Sequence, residues 1–244
     1  MACSQVDLDG VAPFAKGQVL RLSQPCTIVV GPNGSGKTTI AKAFLSACST
    51  NGLVPQGLDW LVRLDDGCTD LPYGGVPWTP LANALRHFGA TTDRLTELSL
   101  CIQSELQTLL SEKVRAGKSK FAGAIESPSQ INVRLTANGA AAISSHSGKD
   151  LSPLFQAAGE RLVLYMAVNA TFRRLLKLKC PFVSDGALGM LDPDLLFACF
   201  ASSRSLGCPG LILLGSSTQS TLRVQPDYWL SVDLVSNETR LVLG

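Results

Sequence analysis

Histidine is nearly missing from this chain: among 244 residues only His87 and His146 occur. The eight cysteines, at positions 3, 26, 48, 68, 101, 180, 199 and 208, form no C-x-x-C pair. With so few imidazoles and such scattered thiols, a zinc site is not expected. Several cysteines lie inside apolar runs, as in 196–200, and read as small buried hydrophobes kept reduced in a cytoplasmic protein. Charge is sparse as well. Asp, Glu, Lys and Arg make up 16% of the chain, and the net charge of +2 does not by itself argue for nucleic acid. No uninterrupted apolar run approaches ~20 residues, so no membrane span is expected. The start, Met1 to Gln5, lacks a basic segment leading into an apolar one, so no secretory signal is expected either. Repeats and low-complexity stretches are also missing.

What the chain has is apolar content, 45% of its residues. That is enough for a sizeable core, in one large α/β domain or two small ones. Residues 19–22 and 26–30 read as short strands separated by Pro25. The second is continuously apolar, as a strand buried on both faces of a parallel sheet must be. A helix follows over 37–49, with Ile40, Ala43, Phe44 and Ala47 on one face. Proline and glycine make 71–80 a loop, and 81–88 reads as a short helix. Residues 92–113 fit two patterns. Leu95, Leu98, Ile102, Leu106 and Leu109 have helical spacing, whereas 96–102 alternates like a strand. The basic stretch 113–120 reads as an exposed linker. Strands at 131–135 and 141–144 flank Ala137-Asn138-Gly139-Ala140, a hairpin signal. A long helix spans about 160–177, and a buried strand over 180–184 ends at Asp185. A helix over 195–203, a buried strand over 210–214 and a terminal hairpin from 229–235 and 239–243 complete the reading.

Between the strand 26–30 and the helix 37–49 lies Gly31-Pro32-Asn33-Gly34-Ser35-Gly36-Lys37-Thr38-Thr39. This is a full G-x-x-x-x-G-K-T phosphate loop in the strand–loop–helix frame that the motif requires. Its glycines permit backbone conformations that turn successive N–H groups toward one anion. Asn33, Gly34, Ser35, Gly36, Lys37, Thr38 and Thr39 are the candidate ATP contacts. Lys37 can neutralise β/γ charge, and Thr38 can ligate Mg2+. Asp185, at the end of a strand read as lying beside the phosphate-loop strand, is the second magnesium candidate. Lys37 and Asp185 together are the candidate catalytic pair.

The phosphate loop, then Ala158-Gly159-Glu160-Arg161 opening a helix, then Asp185 with Leu191-Asp192 seven residues on, resembles the head of an ABC-type ATPase. The SMC/RecF branch, which includes the ATPase subunit of the double-strand-break repair complex, is more similar than transporter cassettes. Within it, Ser184-Asp185-Gly186-Ala187-Leu188-Gly189-Met190-Leu191-Asp192 resembles the DndD-like ATPases of DNA-modification and phage-defence systems. The resemblance implies a P-loop NTPase fold with a mixed, largely parallel sheet and a short or absent coiled coil. It implies one head over 1–244. Residues 1–50 and 151–244 would form the nucleotide-binding core, and 51–150 a variable lobe with a coiled coil cut down to 92–120. It also implies ATP and Mg2+ as ligands and a nucleotide-dependent homodimer. Ala158, Gly159 and Glu160 would meet the γ-phosphate held by the other copy, and Asp192 would lie on the loop crossing the interface. A nuclease or other effector, and DNA, are the partners implied; a membrane is not.

Three departures bear on hydrolysis. The serine of the family's signature is Ala157, the usual water-polarising glutamate is Gly186, and the γ-phosphate-sensing histidine has no counterpart in 215–219. General-base help is typically worth about 10²–10⁴-fold, so its loss predicts slow turnover. Glu160, Ser216 or Asp192 of a partner could substitute. Two readings therefore stand. One is a slowly hydrolysing ATP-gated head; the other is a switch or assembly subunit that binds ATP without turning it over. A transporter cassette and a P-loop kinase fit the residues less well. Other assignments stay plainer. A helix cap explains Asp192 almost as well, since Pro193 suits a first helical turn. Basic residues 113–120 and Arg173, Arg174, Lys177 and Lys179 read as solvated surface before they read as DNA contacts. Phe14 and Lys16 fall in the region that contacts adenine in relatives, and Gln103 or Gln130 could serve the magnesium-and-water loop.

Overall fold

The computed structural model describes residues 5–9, 11–14, 16–22, 26–32, 34–65, 70–115, 127–186, 210–215, 228–235 and 238–243. The chain divides into two compact units, one made of Met1–Cys68 with Lys177–Gly244 and the other of Thr69–Leu176. The boundary therefore leaves 51–68 with the phosphate loop. It places the long helix that follows Ala157 in the second unit.

In the first unit the strands β1 (Gln5–Asp7) and β2 (Val19–Arg21) form a small antiparallel pair. Among the described residues the main sheet has six strands: β3 (Cys26–Gly31), β4 (Arg63–Asp65), β7 (Phe182–Asp185), β8 (Gly210–Gly215), β9 (Tyr228–Val235) and β10 (Glu238–Leu243). Their order is β10-β9-β3-β8-β7-β4, with every pairing parallel except the β9–β10 hairpin. This is the mixed, largely parallel sheet expected. β3 sits inside it, between β8 and β9, and Thr27 and Val29 are fully buried. A strand inside a parallel sheet is where a continuous apolar run is expected. β8 lies between β3 and β7, so the strand carrying Asp185 is one place removed from the phosphate-loop strand rather than beside it.

Helix α1 (Lys37–Thr50) packs on β7, β1 and β3. Its buried residues are Ile40, Ala41, Phe44 and Cys48, so the inner face is turned from the one read through Ala43 and Ala47. Burying Ile40 and Phe44 contributes roughly 1.5–3 kcal/mol each. That anchors the phosphate loop between a central strand and a helix packed against the sheet.

The second unit contains α2 (Thr79–Phe88), α3 (Thr92–Arg115), the hairpin β5 (Ile131–Leu135)–β6 (Ala141–Ser145) and α4 (Ala158–Leu175). The ambiguous stretch is helical. Leu98, Ile102, Leu106, Leu109 and Leu110 are all buried, as one helix face requires and a strand would not allow. α3 packs on α4 and β5 and is a packed helix of 24 residues rather than a coiled-coil arm. It runs through Arg115, so the first three residues of the basic stretch are helix and not linker. In α4 every residue from 162 to 173 is buried. Trp78 meets Tyr165 edge-on at 6.0 Å between ring centroids, and Phe88 meets Phe172 at 5.4 Å.

Side chains of α3 replace a strand along one edge of the hairpin. Ser99 Oγ accepts from Leu135 N (2.9 Å) and Gln103 Oε1 from Val133 N (3.0 Å). Gln107 Nε2 donates to the carbonyl of Ile131 (2.9 Å). These residues are four apart, so they align on one helix face, and strand residues two apart share one edge direction. Truncating Ser99 would orphan the buried Leu135 N–H, at about 1–3 kcal/mol. Urea denaturation should show Ser99→Ala losing that much, whereas Leu100→Ala, at a 59% exposed position on the same helix, should lose no more than about 0.5 kcal/mol. Equal losses would show that the edge bonds carry no particular weight.

Candidate functional site

The phosphate loop leaves β3 at Gly31 and re-enters regular structure at Lys37. Gly34 and Gly36 have φ of +80° and +90°, a left-handed backbone closed to most side chains. A Cβ on Gly34 would meet nothing within 4 Å, so that side of the loop is open. Ser35 between them is buried, at 1% exposure. Gly36 also caps α1. Its carbonyl accepts from Ile40 N (3.0 Å), while α1 has neither a side-chain cap nor an acidic residue in its first turn. The first-turn N–H groups of α1 thus carry no competing carboxylate, and the helix dipole is directed at the loop. This cradle fits a phosphate.

Lys37 folds back over the loop. Its Nζ donates to the carbonyls of Gly31 (2.8 Å) and Pro32 (2.7 Å) and approaches Ser35 Oγ at 3.5 Å. Burial holds the ammonium below the ordinary lysine range, and the carboxylate of Asp185 pulls part of the way back up. The lysine and the aspartate therefore share one electrostatic environment, although β8 separates their strands. Thr38 is exposed and Asp185 half-buried. A hydroxyl and a carboxylate are hard oxygen donors of the kind that suits Mg2+ completed by water and phosphate oxygens, so the donor chemistry fits. Among the described residues, no group of three or more His, Cys, Asp or Glu could hold a metal by itself.

Gly186, directly after Asp185, has φ +82°. A glutamate at this point would occupy a left-handed backbone costing about 1–2 kcal/mol. The backbone at 186 thus disfavours the glutamate that the resemblance would expect there.

The first unit brings together Gly34, Ser35, Gly36, Lys37, Thr38, Thr39 and Asp185. Asn33, Asp192 and Ser216 lie outside the described residues. Ala158, Gly159 and Glu160 belong to the second unit, where they open α4 behind an extended Ala157 that offers no side-chain cap. Ala157 and Ala158 are exposed, so this helix start can be reached by a ligand. Glu160 already supplies negative charge to that first turn, which opposes an added anion there.

Other assignments change. Gln103 is taken up in binding Val133 N, which removes it from the magnesium-and-water reading. Arg173 is buried at 2% exposure and Arg174 is ion-paired with Glu105, so these two are not freely solvated cations. Lys177 and Lys179 are exposed. The seat of Lys37 on two main-chain carbonyls left no trace in the sequence, since carbonyls carry no residue identity.

The Lys37 environment sets a pH dependence. In the window between its lowered pKa and the ordinary one, the unfolded chain binds more protons than the folded chain, so this group's contribution to stability rises with pH. Phosphate binding needs the charge and runs the other way. ATP affinity measured without magnesium should fall as pH rises through the lowered pKa. Asp185→Asn should move the fall to lower pH, and Lys37→Arg should abolish it, since guanidinium stays charged. A flat profile to the ordinary lysine range would contradict the assignment.

A family model described as an AAA domain matches residues 5–56. No curated protein matches the chain. Among solved structures, an Smc head bound to the C-winged helix domain of ScpA superposes with a TM-score of 0.60 at 11% identity, covering 98% of this chain and 97% of that one. An SMC head domain from Thermotoga maritima gives 0.53 at 12% identity, covering 99% and 98%. An Smc head with an extended coiled coil, bound to the C-terminal domain of ScpA and derived from Pyrococcus furiosus, gives 0.52 at 10% identity, covering 98% and 95%. At such identities the likeness is one of fold, and the chain has the fold of an SMC-type P-loop ATPase head.

Proposed function

We propose that this chain is an ATP-binding head that pairs with a second copy around Mg·ATP and hydrolyses the nucleotide slowly. The observation that carries the reading is the cradle at Gly34–Thr39, with Lys37 and Asp185 sharing one electrostatic environment at its mouth. In each nucleotide site, Lys37 would neutralise phosphate charge, while Thr38 and Asp185 would hold the metal. Magnesium, when bound, screens the charge that develops on the transferred phosphoryl group. The exposed start of α4 at Ala158–Glu160 would meet the γ-phosphate of the opposite copy, with Asp192 near the interface. ATP then favours the paired state because only pairing completes the γ-phosphate shell.

Gly186 in its left-handed conformation supports slow turnover, and so does Ala157 in place of a hydroxyl donor. The same two features favour a second reading, a switch that binds ATP and does not hydrolyse it. The pairing would control a DNA-acting effector such as a nuclease, in repair or phage defence. The segment from Ser184 to Asp192, with its DndD-like departure from the aspartate–glutamate pair, supports that setting. So does the fold, since two of the similar heads are seen holding a domain of ScpA. Among the described residues no helix is long and apolar enough to cross a membrane, and a cytoplasmic setting agrees with the thiol pattern.

Phosphate release separates the two readings. Wild-type protein should release phosphate from ATP slowly, and Lys37→Ala should fall to background, with nucleotide binding lost as well. Equal release by the two proteins would sink the hydrolysing head. Binding that survives in wild type alone, without release, would establish the switch.

A further inference from the structure

Phe14 lies just before β2, in a segment closed by three main-chain bonds: Leu8 N to Gln18 O (2.8 Å), Val11 N to Leu8 O (3.0 Å) and Phe14 N to Val11 O (2.8 Å). Leu8 is fully buried, and Asp9 Oδ1 accepts from Gly17 N (3.1 Å). The segment is therefore fixed at both ends. Phe14 itself is only 8% exposed. A ring that stacks on a base must offer it an open face, and a side chain this buried offers none.

The ring edge is directed at the phosphate loop instead. A Cβ placed on Gly36 would lie 2.9 Å from Phe14 Cζ, 3.1 Å from Phe14 Cε2 and 3.0 Å from Pro13 Cγ. Gly36 is the residue whose left-handed conformation (φ 90°, ψ 10°) turns the loop into α1. The space that any other residue's Cβ would need is filled by Phe14 and Pro13. Glycine is thus required twice at 36, for its backbone angle and for the contact.

We propose that Phe14 is a positioning residue for the phosphate loop and does not contact the base. Its ring edge backs Gly36 and holds it left-handed, so that the N–H groups of Ser35, Gly36 and Lys37 stay arranged for phosphate before ligand arrives. The proposal rests on the ATP-binding reading for its ligand, though not for its geometry. Preorganisation of this kind acts on affinity through the fraction of protein whose loop is already competent.

Two variants test it, Phe14→Tyr and Phe14→Leu, each titrated with ATP, GTP and inorganic tripolyphosphate. Tyrosine stacks as well as phenylalanine, but it adds an oxygen to the ring atom nearest Gly36. Leucine keeps an apolar side chain and removes the ring edge. If either change lowers the competent fraction to about a tenth, dissociation constants rise about tenfold. The rise should be the same for all three ligands, so the ATP-to-tripolyphosphate ratio stays at the wild-type value. A tyrosine variant that binds like wild type would overturn the proposal, as would a loss confined to ATP and GTP. Amide hydrogen exchange at 35–37 in nucleotide-free protein supplies an arm independent of ligand. Faster exchange in both variants is expected, and unchanged exchange would overturn the proposal. Should wild-type protein bind none of the three ligands, the ATP-binding reading falls while the exchange result still decides the role of Phe14.

Discussion

The site depends on how β3 is held. Parallel partners on both sides, β8 in register from Cys26↔Gly210 to Gly31↔Gly215 and β9 from Thr27↔Tyr228 to Val30↔Ser231, leave the strand no freedom to slide. A shift by one residue would turn the face carrying the buried Thr27 and Val29 away from its neighbours. The chain therefore leaves the sheet at a fixed point, Gly31. Lys37 opens a helix anchored by Ile40 and Phe44. The five residues between must turn within that gap, and positive φ at Gly34 and Gly36 achieves the turn. The anion cradle is what remains when a strand and a helix are both immobilised and the link between them is short.

Within that frame the electrostatics are local. Lys37 lies on the carbonyls of Gly31 and Pro32, partly desolvated and facing the charge of Asp185. A ligand phosphate would replace two neutral acceptors by an anion, adding ion–ion attraction to bonds that the ammonium already makes charge-assisted. Beyond Asp185 the chain offers no carboxylate at Gly186, whose left-handed backbone disfavours any side chain there. Under the proposed function, holding nucleotide and turning it over are separable properties.

Much of this could be read from the residues. The phosphate loop was legible because its chemistry demands fixed residue types at fixed spacing, and β3 because a strand inside a parallel sheet is expected to be continuously apolar. Other features were hidden for physical reasons. The helix α3 was masked by an accidental alternation over 96–102, and only packing against α4 and β5 decides between the two periods. Gln103 looked free to serve a metal because nothing in its sequence neighbourhood announces a bond to Val133, thirty residues away. The order of strands follows from crossovers that no local pattern records, so β8 between β3 and β7 could not be foreseen. Phe14 was placed near the nucleotide by its position in the chain. Its burial, which decides between base and loop, belongs to the folded state.

The central claim is that ATP bound at this loop draws two copies together. Sedimentation velocity with magnesium and a non-hydrolysable ATP analogue tests it most directly, with ADP and the Lys37→Ala variant as controls. The account predicts a monomer with ADP, a dimer with the analogue, and a monomer for Lys37→Ala in either nucleotide. A wild-type protein that binds the analogue and yet sediments unchanged would contradict it.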